Sequence, residues 1–182
     1  MQRQAGAEAK WRSTAAARYD SGMNEPYHLR RIERDMPEWT DQLAVLRGQK
    51  YLSLAMCQDN RPYLVSLNYA FSEAERCFYV HCAPEGRKLD MLRANPAVWG
   101  QVIEDRGYLL GKCAHAYRSV MFEGRAEFVE DLAEKRLALS QMIDHADPDP
   151  EPLKAKLVET AELADVIVVR LVVTWMGGKQ GS

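Results

Sequence analysis

The alternation of hydrophobic and polar positions predicts a mostly antiparallel β-structure. Residues 51–57 alternate in this way, and the turn-forming residues 58–62 separate them from a second apolar segment at 63–71. These two segments are predicted to form a hairpin. Further strands are predicted at residues 77–82, 97–104, 117–129 and 166–173, whereas residues 105–116 show no regular pattern.

Helical patterns lie between and around these strands. Residues 37–46 carry an early proline and an apolar side, and Gly48 follows as a stop signal. A short helix is predicted at 87–94, where Asn95-Pro96 ends it. Asp131 and Glu134 resemble a capping box before a third helix, and 153–163 predict a fourth. The sum is an α+β domain with about six strands, in which sequential hairpins favour an antiparallel barrel.

Composition narrows the function classes. The 182 residues fit one domain, predicted at 25–182, after a basic, acid-poor arm at 1–24. That arm is predicted to be loose or packed on a partner subunit; such a leader is also typical of an organellar transit peptide, but no targeting motif is complete. The net charge of −2 does not support nucleic-acid binding, and no apolar window predicts a membrane span. The four cysteines match no common zinc spacing, so we predict no metal site, reduced thiols and a cytoplasmic protein.

The strongest chemical signal is the transition from strand to helix between residues 77 and 94. Pro84 and Gly86 turn the chain directly into a helix that begins with Arg87 and Lys88. A helix N-terminus offers unpaired N–H groups and a partial positive charge, so cations there are unfavourable unless an anion joins them. A phosphate group would use the amides and both side chains together. The segment therefore predicts a site for a phosphate-bearing ligand.

Residues 79–96 resemble the flavin-phosphate segment of the pyridoxamine 5′-phosphate oxidase-like split-barrel superfamily, and within it the nitroimidazole-resistance flavoproteins. Two more segments, 62–69 and 117–128, are similar to other strands of that family, and the likeness covers about residues 27–180 in the right order. The resemblance implies a six-stranded antiparallel split β-barrel with peripheral helices. It also implies bound FMN, at the interface of a homodimer.

The resemblance assigns roles to particular residues. Arg87 and Lys88, after Gly86, would hold the FMN phosphate with help from Ser119 and Arg118. The ring edge would meet the second strand, and the C-terminal segment would reach toward the cofactor. The residues so assigned are Val65, Ser66, Leu67 and Asn68 on the second strand and Trp175 and Lys179 near the C-terminus.

His81 ends its strand beside the predicted phosphate segment, and the resemblance places it next to the flavin as a candidate proton-transfer residue. A lone histidine is also compatible with a purely structural role. His115 and Cys113 have no further partners that would predict a metal site, and His145 is predicted on the surface. Trp99, Phe122 and Phe128 are predicted in the core.

The resulting hypothesis is an FMN-dependent oxidoreductase that acts on a small organic substrate, in the manner of a nitro-compound reductase. The arginine-rich C-terminal signature of true pyridoxamine phosphate oxidases is missing, so that activity is not expected. Two alternatives stay open. The first alternative is a non-catalytic flavin carrier or redox sensor. The second is a split barrel that binds haem or deazaflavin F420.

Overall fold

The structure is a computed structural model that describes residues 30–158, 163 and 166–182. The predicted N-terminal arm, residues 1–24, lies outside these ranges. Within them, no helix has both the length and the apolar character needed to cross a membrane.

One antiparallel sheet organises the chain, with strand order β2-β1-β5-β6-β7-β4-β3. Its strands are β1 (Tyr51–Gln58), β2 (Arg61–Asn68), β3 (Ala70–Ser72), β4 (Cys77–Cys82), β5 (Ala97–Leu109), β6 (Ala114–Val129) and β7 (Ile167–Gly181). The helices are α1 (Trp39–Gly48), α2 (Arg87–Ala94), α3 (Leu132–Ala146) and α4 (Pro150–Leu157), after a 3₁₀ turn at Ile32–Arg34. The sheet curls until β2 contacts β4, which gives the predicted α+β split barrel.

The barrel interior is filled by the inward-facing positions of the strands. On β1, alternate residues are buried and pack against the inner faces of β4, β6 and β7. Phe78 and Phe122 stack at its centre with ring centroids 4.2 Å apart. Gly100 is required beside them, because a Cβ there would lie 2.1 Å from the Phe122 ring. The inner residues are therefore fixed by close packing as well as by hydrophobicity.

The predicted first hairpin is confirmed, but its second strand divides. Asp59 and Asn60 both have positive φ, as a two-residue turn between β1 and β2 requires. Tyr69 then interrupts the predicted strand 63–71, and its hydroxyl donates to the carbonyl of Leu46 at 2.7 Å. Because β2 pairs with β1 while β3 pairs with β4, this break carries the chain between the two edges of the sheet. The division raises the strand count from six to seven.

Two other predicted segments are longer strands than expected. Residues 105–116 are a hairpin extension of β5 and β6, with positive φ at Gly107, Gly111 and Cys113 in place of a recognisable turn motif. β7 does not end at residue 173 but pairs with β6 to Gly181. The fourth helix begins at Pro150 and not at residue 153, and positions 159–162 of its predicted span are outside the described residues.

The outer face of the sheet has two halves. In the first, which we call the covered half, α3 packs on outward residues of β3, β4 and β7, among them Cys77, Tyr79 and Val168. In the second, the open half, outward residues of β2, β1, β5, β6 and the C-terminal part of β7 have no helix over them within the described ranges. Its exposed apolar side chains include Leu64, Trp99 and Ile103.

Candidate functional site

The predicted phosphate segment forms the strand–turn–helix unit that the sequence indicated. Gly86 lies at φ 133°, a conformation that favours glycine, and turns the chain from β4 into α2. Its carbonyl accepts from the amides of Leu89 and Asp90. No side chain caps this helix end, so the amides of Arg87 and Lys88 keep their capacity to bind an anion.

The two cations of this turn are held differently. Arg87 is exposed, and its guanidinium carbon lies 4.6 Å from the centre of the Tyr63 ring on β2, which orients it by a cation–π contact. Lys88 is half-buried. Among the described residues, no carboxylate lies within salt-bridge distance of Arg87 or Lys88. The helix start therefore carries two positive charges that nothing in this part of the chain neutralises.

His81 stands at the end of β4, on the same sheet face as Tyr79, and is exposed. Its pKa is lowered below the usual 6.5, first because neighbouring atoms displace water and second because Lys88 is positive. The imidazole is consequently neutral at pH 7 and able to accept a proton. Its part in catalysis stays a prediction.

The predicted ring-edge residues of β2 divide between two faces. Val65 and Leu67 point inward and pack against the barrel core, so only their backbone groups are available at the strand edge. Ser66 and Asn68 point outward on the open half and are exposed. The strand thus presents polar side chains to the open half and apolar ones to the core.

The open half brings several other predicted residues onto the same face as Ser66. Ser119 on β6 pairs with Lys179 on β7, and its hydroxyl donates to the Lys179 carbonyl at 3.4 Å. Trp175 follows two pairs along β7 on this face. Residues far apart in sequence therefore share one surface.

Arg118 differs from this group. It lies on the other side of β6, and its Nε donates to Glu104 at 2.5 Å. That bond raises the pKa of Arg118 and lowers the pKa of Glu104. The guanidinium charge is already balanced, and the arrangement does not bring Arg118 together with Arg87 and Lys88.

Trp99 is a residue of the open half that the sequence reasoning placed in the core, and that prediction is wrong. It is 39% exposed and stacks on Trp175 with centroids 5.6 Å apart. The sequence does carry a signal for the outward position of Trp99, because it alternates with Val98 and Val102, which face inward.

His145 does not lie on the surface as predicted. It is half-buried, packs on the Tyr69 ring and contacts the Gln49 carbonyl through Nε2 at 2.7 Å.

A cavity of about 440 Å³ lies between the β3–β4 turn and α3, and none of the predicted site residues lines it. The predicted site residues of the open half lie instead on an outer surface of the sheet. In the part of the chain that the structure describes, no group of three His, Cys, Asp or Glu side chains is placed to hold a metal ion.

Comparison with known proteins agrees with this architecture. A family model described as pyridoxamine 5′-phosphate oxidase matches residues 38–180. No curated protein matches the chain. A solved FAD-binding protein of Mesorhizobium loti is 28% identical, with a TM-score of 0.56 and coverage of 80% of this chain and 96% of that one.

Two more distant structures share the fold. A candidate 5-nitroimidazole antibiotic resistance protein of Bacteroides thetaiotaomicron is 22% identical, with a TM-score of 0.66 over 86% of this chain and 96% of that one. The flavocytochrome Anf3 of Azotobacter vinelandii is 20% identical, with a TM-score of 0.71 over 86% of this chain and 73% of that one. At these identities the likeness establishes the split-barrel fold.

Proposed function

Because the chain belongs to the pyridoxamine 5′-phosphate oxidase family, we propose that it binds FMN and acts as an FMN-dependent oxidoreductase on a small organic substrate. The observation that carries the proposal is the start of α2. Its amides are uncapped, and Arg87 and Lys88 have no carboxylate partner among the described residues. A phosphate supplies the negative charge that this arrangement lacks.

The residues present fit a flavin in their chemistry. The amides of the first turn of α2, with Arg87 and Lys88, would hold the phosphate. Outward polar groups on β2, at Ser66 and Asn68, would meet the polar edge of the ring. When bound, FMN supplies the electron transfer, and the protein contributes binding, orientation and tuning.

The open half supports a homodimer as part of the same proposal. Leu64 is 64% exposed and Ile103 is 53% exposed on one sheet face, and exposed apolar side chains on one face are consistent with an interface. A two-fold contact through this face would bring Trp175 and Lys179 of one subunit toward the cofactor held by the other. The cytoplasmic location belongs to the same set of predictions.

Two side chains have charge states suited to the proposed chemistry. Lys179 is a cation on the open half, and a cation beside a flavin ring stabilises the negative charge of its reduced form. His81 is neutral and accepts or relays a proton at the rim of the site. The chain's own contribution is therefore to hold the cofactor, shield it from water and place these groups.

The direct test is flavin titration of the variant in which Arg87→Ala and Lys88→Ala are combined. Charge-assisted hydrogen bonds contribute about 1.5–3 kcal/mol each, so losing two should weaken FMN binding about a hundredfold or more. Arg136→Ala, which removes an exposed cation from α3, is the matched control and should bind as the wild type does. Equal affinity of all three proteins would place the phosphate elsewhere.

Turnover separates an enzyme from a carrier or redox sensor. Stopped-flow mixing of the flavin-loaded protein with NADH or NADPH should bleach the flavin absorbance, and a substrate should restore it. A flavin that stays oxidised with both donors would favour the non-catalytic carrier. The absorption spectrum of the isolated protein distinguishes flavin from haem, since haem gives a Soret band, and mass spectrometry distinguishes FMN from FAD or F420.

A further inference from the structure

The open half carries a stacked pair of indoles. Trp99 on β5 and Trp175 on β7 lie 5.6 Å apart between ring centroids, at 25° between planes. Both pair with Glu123 on the intervening strand β6, so they belong to one row across the sheet. The same row continues through Ala55 to Leu64 on β2.

A bulge in β7 places Trp175 on this outer face. Glu123 pairs with Trp175 while Gly124 pairs with Val173, so Thr174 is an extra residue. In a strand without this bulge, regular alternation would put Trp175 on the inward face together with Val173. β-bulges commonly re-aim a side chain beside a functional site.

Two glycines are adapted to this arrangement. A Cβ at Gly124 would lie 2.5 Å from the carbonyl oxygen of Val172, so the bulge requires glycine there. A Cβ at Gly177 would lie 2.8 Å from the indole of Trp175, which shows that this ring lies flat against the strand. The backbone is thus shaped around an indole that stays on the outside.

The row next to the indoles is polar on β2, β1 and β5. It runs from Ser66 through Ser53 and Gln101 to Met121 and Gly177. The β2 end of this row lies on the outer face of the strand, whereas Tyr63, which Arg87 covers, faces the barrel core with Val65 and Leu67. Adjacent strands are about 4.8 Å apart, so Trp99 lies about 10 Å across the sheet from that end.

We propose that Trp99 and Trp175 form an aromatic wall that stacks on a flat, electron-poor aromatic ring lying on the open half. The ring's polar edge then meets Ser53, Ser66 and Gln101. Indoles are electron-rich on their faces, so they favour such a ring over an aliphatic group of the same size. The inference rests on the proposed function, because the ring is either the flavin's own or that of the molecule it reduces.

Trp99→Leu tests the wall, since it keeps an apolar side chain of moderate size at an exposed position. Trp39→Leu is the matched control, because Trp39 lies on α1 and packs on Phe71 away from the open half. In the first arm, FMN is titrated into flavin-free protein. In the second, 4-nitrobenzoate and, as the aliphatic control, cyclohexanecarboxylate are titrated into FMN-loaded protein, with flavin absorbance as the readout.

A stacking contact is worth about tenfold in affinity. If the wall holds the cofactor ring, Trp99→Leu weakens FMN binding by about that factor; if it holds the substrate ring, only 4-nitrobenzoate binding falls. Gly177→Ala, which displaces Trp175 and leaves Trp99, should act in the same direction. Both Trp99→Leu outcomes support the proposal, and Trp39→Leu should change neither.

If Trp99→Leu binds both FMN and 4-nitrobenzoate with unchanged affinity, the proposed aromatic wall is wrong. A Trp99→Leu protein that dissociates into monomers would also overturn the proposal, because the indoles would then serve as a subunit contact. Failure of the proposed function looks different: wild-type protein would bind no FMN. In that case quenching of tryptophan emission by 4-nitrobenzoate in the flavin-free wild type, and its loss in Trp99→Leu, still decides the inference.

Discussion

The covered and open halves of the outer sheet face both carry apolar side chains but have opposite surroundings. In the covered half, Tyr79 donates from its hydroxyl to Glu134 at 3.1 Å, and Arg170 joins Glu134 to Glu127. Ala138 and Met142 of α3 close over this network. In the open half, Leu64, Trp99 and Ile103 are exposed instead.

The difference shows which half of the outer sheet face the chain covers with its own helix. The covered half is shielded from water by its own helix: burial raises the pKa of the Cys77 thiol to about 11. The open half leaves apolar area in water that a second subunit and a planar cofactor would cover. Changes in the covered half should therefore affect folding, whereas changes in the open half should affect assembly.

The largest effect is expected from Ala138→Glu, which places a carboxylate in the buried contact between α3 and the sheet. Ala138 is fully buried, so the carboxylate would lose its contact with water there. We expect the free energy of unfolding to fall by about 3 kcal/mol or more in urea titrations. Leu137→Glu, at the exposed neighbouring position, should change it by no more than about 0.5 kcal/mol. Equal effects of the two substitutions would contradict the packing described for α3.

A smaller effect on folding and a larger one on assembly are expected from Ile103→Glu. Ile103 is exposed in the isolated chain, so the free energy of unfolding of one subunit should change by about 0.5 kcal/mol at most. Size-exclusion chromatography with light scattering should nevertheless show monomers of this variant, whereas the proposed homodimer predicts dimers of the wild type. Leu157→Glu, an exposed leucine at the end of α4, is the control and should stay dimeric. If Ile103→Glu is also dimeric, the open half is not the subunit interface.

The smallest effect is expected at His145, at the edge of the covered half. Its pKa is lowered below 6.5, mainly by burial and further by Lys50, although the bond to the Gln49 carbonyl opposes this. The unfolded chain therefore binds the proton first, and stability is lost as the pH falls through 6.5. His145→Gln should flatten the decline of Tm between about pH 7.5 and pH 5.5.

The control for this pH profile is His115→Gln, which removes an exposed histidine of β6. It should leave the slope of Tm against pH as it is in the wild type. Identical slopes for His145→Gln and the wild type would show that His145 does not carry this dependence.

The local features of the fold could be predicted from sequence, because short-range signals decide them. Asp59 and Asn60 tolerate the positive φ of the first hairpin, and Gly86 marks the start of α2. Alternation on β1 and β6 separates inner from outer positions. Local signals also predict the anion-binding chemistry of Arg87 and Lys88, which stays a prediction.

The features that could not be predicted from sequence depend on contacts between residues distant in the chain. Trp175-Met-Gly-Gly is typical of a flexible tail, yet pairing with β6 makes it a strand, and Gly178 is enclosed by Met36. Trp99 is as apolar as any core residue, and local alternation alone does not say whether the opposite face is covered. The position of α3 over only one half of the sheet settles that, and it depends on contacts distant in sequence.

The central claim is that the open half is completed by a second subunit and a flavin. Native mass spectrometry of protein purified without added cofactor tests both parts in one spectrum. The account predicts a particle of two 20.7 kDa chains that carries two flavin molecules, released as FMN on denaturation. A single chain of 20.7 kDa with no bound ligand would contradict it.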